Sequence, residues 1–330
     1  MIIEYNEYNI QISNQFDLNF DLTKYSKIAI IVDQNTKKNC LPKLINSLKI
    51  KYTLIEIKAE EKYKNIQTCN FIWKSLINNE FEKNSLIINL GGGIVNDVGG
   101  YCAACYKRGI DFINIPTTLL AMVDASIGGK TGVNLGFFKN QIGIFKNPKF
   151  IYIYTGFLNT LTSEEIKSGL GEVIKHILIS DKKYWNFINK NGLENINWKE
   201  VILNSISIKQ KIVQSDPFEK NIRKALNFGH TYGHAIESYY LEKNQPIKHG
   251  EAVLMGILLE IELCDISEKE KKEINNFITS NFILPKIPKK IDLKKYLIND
   301  KKNRSQQINF SLISAIGKYS IDNLFKLHEL

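Results

Sequence analysis

Unbroken apolar runs, separated by polar and glycine-rich breaks, mark the first half of the chain, and helical periodicity takes over in the second. Lys27 to Asp33 reads Lys-Ile-Ala-Ile-Ile-Val-Asp. An apolar run of this length predicts a strand buried on both faces, with Asp33 at its carboxyl end. Ser85 to Leu90, Asp111 to Ile115 and Phe150 to Tyr154 read the same way. The first of these runs into Gly91-Gly92-Gly93, and the second ends in Pro116-Thr117-Thr118. Between Asp124 and Asn134 the chain is too polar and glycine-rich for a helix and too ordered in character for a linker. The acid and lysine cluster Glu60, Glu61, Lys62, Lys64 reads from pattern as a solvated helix start.

From about Gly156 the texture changes. Thr162-Ser163-Glu164-Glu165 reads as a helix cap with acids in the first turn. That helix carries Glu172, Lys175 and His176 on one face. Trp198 to Gln214 is a second helical stretch, carrying Lys209, and His249 opens an apolar helix. The stretch to about Lys290 is charged and helical. Asp300 to Asn303 is a basic turn, and Gln307 to Ile316 alternates enough for a short strand. The chain therefore divides near residue 155 into an α/β part, 1–155, and a helical part, 156–330.

Composition narrows the class. The 330 residues are 44% hydrophobic, enough for one large or two ordinary domains with real cores. No apolar run is long enough to span a bilayer, and the first residues lack a signal-peptide pattern, so no membrane partner is expected. The formal net charge is +10, but the lysines are spread widely and no nucleic-acid motif is present; an anionic small substrate uses a positive cleft equally well. The five cysteines are odd in number and scattered, which argues against a disulfide framework and for a reducing cytoplasm. Cys102 and Cys105 form a lone Cys-x-x-Cys with no second pair and read as helix-packing residues.

Candidate chemistry gathers in two places. Strand, triple glycine, helix is the arrangement that cradles phosphate, because glycines admit the anion close to backbone and a helix start offers free N–H groups. Asp97 and the pair Gly99-Gly100 follow, and the reading favours a nucleotide pyrophosphate. In the helical half, Arg223 to Glu237 holds His230 and His234 four residues apart, with Arg223 and Asn227 just before. Glu172, His230, His234 and His249 are four candidates for a catalytic Zn²⁺ site, which takes three protein ligands and keeps one position open. Spacing alone does not choose among them, and the i,i+4 pair His230/His234 is the naive choice.

The motifs Gly91-Gly-Gly-Ile-Val-Asn-Asp97, Arg108-Gly109, Pro116-Thr-Thr-Leu-Leu-Ala-Met-Val-Asp124, Gly128-Gly-Lys-Thr131, Glu172-Val-Ile-Lys175, Leu226 to Glu237 and His249-Gly-Glu-Ala-Val253 run in order along the chain. Together they resemble the 3-dehydroquinate synthase family of sugar-phosphate cyclases over essentially the whole length. The resemblance implies a Rossmann-like NAD-binding α/β domain followed by an all-α metal-binding domain, the active site in the cleft between, and a homodimer. It implies metal ligands Glu172, His230 and His249, holding Zn²⁺ with Co²⁺ as the alternative. His234 then falls among the substrate contacts, with Asp124, Lys130, Asn140, Lys175, Lys209, Arg223, Asn227 and the Lys301/Lys302 turn. Arg108 matches an arginine that reaches the partner subunit's site. For NAD the matching positions are Asp33, Asn35, Glu61, Lys64, Gly92, Gly93, Asp97, Thr117, Thr118, Lys139, Phe157, Thr160 and Leu161. Glu61 and Lys64 thereby change from a solvated helix start to cofactor contacts.

The implied reaction takes 3-deoxy-D-arabino-heptulosonate 7-phosphate to 3-dehydroquinate and phosphate. It proceeds by transient NAD-dependent oxidation at C5, phosphate elimination, re-reduction, ring opening and intramolecular aldol closure. The chain departs from the family pattern at Glu60, Thr162, Pro217 and Ser305, none of which is a metal ligand or a substrate-binding cation. A glycerol dehydrogenase-type enzyme shares the glycine layout and a helical metal domain, but its neutral substrates do not call for this many cations.

Overall fold

A computed structural model describes residues 1–4, 7–48, 50–136, 138–194, 196–298 and 307–330. Lys301 and Lys302 lie outside the described residues. The chain divides into two compact units, Met1–Thr162 and Ser163–Leu330. The expected boundary at 155 falls at the end of the last strand of the first unit, which continues through a 3₁₀ turn, Thr155–Thr160.

Along the first unit run β1 (Ile2–Glu4), β2 (Asn9–Ser13), β3 (Ile28–Asp33), α1 (Gln34–Asn39), α2 (Leu41–Ser47), β4 (Thr53–Ile57) and α3 (Ile66–Asn78). After them come β5 (Leu86–Gly91), α4 (Gly93–Cys105), β6 (Asp111–Pro116), β7 (Lys130–Leu135), β8 (Phe138–Phe145) and β9 (Phe150–Tyr154). Seven strands form one sheet in the order β1-β2-β9-β6-β5-β3-β4, parallel except for the β1–β2 pair. The apolar runs are the buried strands the pattern predicts: β5 is buried at every position and β3 at all but Asp33. Ile31, Ile55, Ile87 and Phe112 of the sheet pack with Ile72 and Leu76 of α3 and Val95, Val98 and Cys102 of α4. Burying an aliphatic side chain of this size stabilises by about 2 kcal/mol, which is what holds helices with so few charges to the sheet.

Chain order reverses between β3 and β5, so the carboxyl ends of those strands form a topological switch point, the usual crevice for a ligand in an open α/β sheet. Asp33 and Gly91–Gly93 both sit there. The pair Gly99-Gly100, in contrast, serves packing. A Cβ on Gly99 would lie 1.8 Å from Asn89 Oδ1, and one on Gly100 would lie 2.6 Å from Thr131 Cγ2. The polar stretch before Asn134 holds a π-helical turn, Ala121–Ala125, and then β7, which pairs antiparallel with β8. Cys102 packs in the core as expected, whereas Cys105 is exposed.

The second unit contains α5 (Ser163–Ser180), α6 (Lys182–Asn191), α7 (Trp198–Ser215), α8 (His230–Glu242), α9 (His249–Glu260), α10 (Glu268–Asn281) and α11 (Lys290–Ile298). It closes with β10 (Gln307–Ala315) and β11 (Lys318–Lys326), an antiparallel hairpin. The unit is thus helical but not all-α: the strand expected near 307–316 is present and has a partner. Local capping sets several helix starts. Asp181, Asn197 and Ser267 accept hydrogen bonds from backbone N–H groups at the starts of α6, α7 and α10. Arg223 to Glu237 is not one helix. Ile222–Asn227 is a 3₁₀ turn, Gly229 takes a left-handed φ of 77°, and α8 begins at His230. A side chain there would be strained, and it would also strike Val253 O and Ile257 of α9.

Candidate metal and cofactor sites

Three helix segments converge on one buried carboxylate in the second unit. Glu172, in the middle of α5, is fully buried. His230 and His249 are the first residues of α8 and α9. His230 Nε2 lies 3.2 Å and His249 Nε2 3.1 Å from the same Glu172 oxygen, Oε1. Lys175, one turn along α5 and 1% exposed, pairs with Oε2. The far ring nitrogens are held as well: His230 Nδ1 contacts Phe228 O at 3.2 Å, and His249 Nδ1 contacts Glu237 Oε2 at 3.2 Å. Such partners orient an imidazole and leave Nε2 free to bind a metal.

Among the described residues of this unit, Glu172, His230 and His249 place their ligand atoms within 4.8 Å of one another. One carboxylate with two imidazoles is a donor set that suits Zn²⁺ or Co²⁺. His234 is near, its ring centroid 5.2 Å from that of His230 and 6.3 Å from that of His249, but it is not one of the three. The group that the geometry brings together takes one residue from each of three helices, in place of the i,i+4 pair.

The electrostatics agree. Burial would raise the Glu172 carboxyl, but Lys175 and His230 outweigh it and hold it well below the usual carboxylate range. Burial lowers His230. Burial also acts to lower His249, yet Glu237 and Glu172 overcome it and raise it to about 10. A divalent cation held by Glu172, His230 and His249 would take the place of that proton.

The other expected residues of this unit are also placed. Lys209 of α7 is buried, and Arg223 is 1% exposed with its guanidinium donating to Pro217 O. Asp216 turns the chain here, accepting from the N–H groups of Lys220 (3.0 Å), Asn221 (2.7 Å) and Arg223 (3.0 Å). Burial opposes its charge, but those bonds prevail and lower its pKa. Asn227 Nδ2 donates to Glu219 Oε1 at 2.7 Å. Glu219 is half-hidden in the sequence, in an irregular turn with a left-handed φ of 58°, and pattern reading passed over it.

In the first unit the cofactor candidates line the switch point and the β7–β8 hairpin. Gly92 precedes α4 and Gly93 opens it. A Cβ on Gly92 would come within 3.1 Å of Thr118 Cγ2, so a larger residue here would crowd Thr118. Thr117 Oγ1 is buried, and among the described residues no protein group pairs with it. Lys64 Nζ pairs with Asp97 and donates to Asn140 Oδ1 at 2.6 Å. Asn134, absent from the sequence-based assignments, ties this cluster together. Its N–H donates to Lys64 O (2.8 Å), its Nδ2 donates to Glu61 Oε1 (2.8 Å), and its Oδ1 accepts from Asn140 N–H (2.9 Å). Asn140 has a left-handed φ of 52°, which that last bond helps to hold. Lys139 Nζ lies 3.5 Å from Glu61 Oε1.

Asp33 caps α1 by accepting from Thr36 N–H at 2.8 Å, and Asn35 is exposed beside it. Phe157 is buried against Phe16 and Tyr154, Thr160 Oγ1 donates to Phe157 O, and Leu161 is half-buried. Asp124 is half-buried in its π-helical turn. A buried pair beneath that turn, Asn89 Nδ2 to Asn114 Oδ1 at 2.9 Å, continues to Ser126 O. Lys130 is exposed at the start of β7. Arg108 is exposed with φ 60°, its carbonyl bonded by Lys83 Nζ at 3.2 Å.

Comparison with known proteins follows the same division. Residues 54–168 match the family model described as 3-dehydroquinate synthase N-terminal, and residues 169–303 match 3-dehydroquinate synthase C-terminal. The chain is 38% identical over 310 residues to the 3-dehydroquinate synthase of Parabacteroides distasonis, covering 91% of this chain and 88% of the relative. The fold is shared with a 2-epi-5-epi-valiolone synthase from Streptomyces hygroscopicus subsp. jinggangensis, solved with NAD⁺ and Zn²⁺ bound. The TM-score is 0.87 at 23% identity, over 99% of this chain and 95% of that one. A 2-deoxy-scyllo-inosose synthase complexed with carbaglucose-6-phosphate, NAD⁺ and Co²⁺ aligns with a TM-score of 0.83 at 23% identity, covering 96% and 93%.

Proposed function

The chain belongs to the 3-dehydroquinate synthase family, and we propose that its own residues carry out that family's reaction in the following way. The enzyme is a carbon–oxygen lyase of the shikimate pathway, converting 3-deoxy-D-arabino-heptulosonate 7-phosphate to 3-dehydroquinate and phosphate. The observation that carries the residue assignment is the convergence of two imidazole Nε2 atoms on one buried carboxylate oxygen, with a buried lysine beside it.

Glu172, His230 and His249 hold a divalent cation, Zn²⁺ or Co²⁺, and the first unit holds NAD. When bound, NAD⁺ accepts and returns one hydride while the metal polarises the substrate oxygen at the same carbon, so the chemistry is redox-neutral overall. Gly92 and Gly93 offer backbone N–H groups to the pyrophosphate. Asp33, Asn35, Glu61, Lys64, Asp97, Thr117, Thr118, Lys139, Phe157, Thr160 and Leu161 shape the rest of the cofactor site.

The substrate carries a carboxylate and a phosphate. Lys130, Lys175, Lys209 and Arg223 supply the matching charge, with Asp124, Asn140 and Asn227 fixing orientation. The second unit's cations are buried, so each acts on an anion with little screening by water. His234 orients the departing phosphate, whose own oxygen takes the proton released at C6. The first unit, Met1–Thr162, serves the cofactor and the second, Ser163–Leu330, the metal. The protein works in the cytoplasm as a homodimer, and Arg108 serves the partner subunit's site. Among the described residues no helix is long and apolar enough to cross a membrane.

The test is phosphate release from the heptulosonate phosphate with NAD⁺ and Zn²⁺, followed together with absorbance at the NADH band. Chelator-sensitive phosphate release without lasting NADH is expected. Lasting NADH without phosphate would instead identify a dehydrogenase.

A further inference from the structure

Glu260 is the last residue of α9 and is fully buried, yet no part of the reaction calls on it. Its carboxylate reaches the start of α8. Oε2 accepts from the Gly229 N–H at 2.6 Å, and Oε1 accepts from the Tyr232 N–H at 3.1 Å. His230, a metal ligand by the reading above, lies between those two residues. A helix start needs an acceptor for its free N–H groups, usually the side chain of the preceding residue. Here that residue is Gly229, which has no side chain. Glu260 supplies the missing cap from another helix, with full charge at the positive end of α8.

The helices that share this contact are the two that carry the histidine ligands. They run antiparallel: Gly256 lies against Gly229, Gly233 against Ala252, and Glu237 against His249. A Cβ on Gly256 would stand 1.9 Å from Gly229 O, so the backbones touch at the point where Glu260 binds. One end of α9 thus presents His249, and the other end anchors the turn that presents His230. We propose that Glu260 is a positioning residue of the metal centre, fixing the first turn of α8 so that His230 Nε2 faces Glu172. The inference rests on the assignment of Glu172, His230 and His249 as ligands.

Glu260→Gln keeps the size of the side chain but replaces one acceptor by an NH₂ that faces a backbone N–H. The experiment measures zinc affinity of metal-stripped protein by competition with a chromophoric chelator, together with the visible spectrum of the cobalt-loaded protein. Zinc binding is expected to weaken by about tenfold or more, with altered cobalt bands and unchanged NAD affinity. A merely structural role would lower the unfolding temperature and leave zinc affinity and cobalt spectrum alone, and that result would overturn the proposal. Glu260→Asp, which keeps the charge on a shorter arm, is measured in parallel and carries the same expectation if the Gln variant does not fold. In wild-type protein, zinc should slow hydrogen exchange at residues 229–232; no change there would count against the proposal independently. A wild-type protein that binds no zinc would refute the ligand assignment itself, a separate outcome from wild-type binding that E260Q leaves intact.

Discussion

The two candidate sites are built on opposite plans. In the metal cluster Glu172 and Lys175 are buried, His249 is partly exposed, and each imidazole is held at both nitrogens. Its members come from helix starts and a helix middle, so moving one means moving a packed element. The cofactor cluster is a string of polar pairs, Glu61 with Asn134, Asn134 with Asn140 and Asn140 with Lys64, strung along a hairpin and a 3₁₀ turn, in which only Lys64 is buried and the others are half-buried or exposed. Charges inside a protein interact strongly and are costly when left alone, whereas partly solvated pairs are screened and replaceable. The metal side should therefore respond to single substitutions with large and specific losses, and the cofactor side with graded ones.

The largest expected effect is at Glu172. Glu172→Gln removes the carboxylate on which both imidazoles converge and the negative charge that pairs with buried Lys175. Phosphate release should fall by roughly three orders of magnitude, and the metal-free protein should lose about 3 kcal/mol of stability, read by denaturant unfolding. A variant that stays active would break the contrast between the two sites. Next is Glu237→Gln, which loosens the His249 ring without touching the metal. Zinc affinity should drop on the order of tenfold to a hundredfold while NAD affinity is unchanged.

On the cofactor side, Asn134→Ala removes two side-chain bonds but no charge, and leaves the backbone bond to Lys64 O in place. NAD binding, followed by quenching of protein fluorescence, should weaken by about tenfold, with zinc affinity unaltered. A loss as steep as that at Glu172 would mean the hairpin is as rigid as the metal cluster. The smallest effect is at Asp216. Its native pKa lies below its unfolded value, so its stabilising contribution is present at neutral pH and is lost as pH falls through the native pKa. Asp216→Asn should cost about 1 kcal/mol at pH 7, and the two unfolding curves should converge at low pH. A difference that grows on acidification would reverse the sign and remove the account of that turn.

Legibility in the sequence followed the same contrast. Strands β3, β5, β6 and β9 were readable because burial on both faces writes an unbroken apolar run. Helices α5 and α7 were readable from caps and periodicity. The β7–β8 hairpin was not, because its strands carry glycines where backbones approach, Gly132 opposite Gly143, and exposed polar positions on β8. Spacing offered His230 with His234, since local periodicity sees only neighbours on one helix. The grouping of His230 and His249 on Glu172 depends on α8 meeting α9, and its determinants are small: Gly229, Gly256 and a buried carboxylate thirty-one positions from the glycine it bonds. Asn134 was missed because its three bonds reach two other segments, the turn at Glu61–Lys64 and β8, and leave no pattern in its own. Glu61 and Lys64 were legible only through family resemblance, because two charges in a polar turn look solvated. The structure places both against partners from the hairpin and α4.

The most direct test of the central claim is zinc content after equilibrium dialysis of the wild-type protein and single alanine variants at Glu172, His230, His234 and His249. The account predicts that wild-type and His234→Ala proteins retain the metal, while the other three lose it. A His249→Ala protein that keeps its zinc while His234→Ala is emptied would contradict it and restore the pair on a single helix.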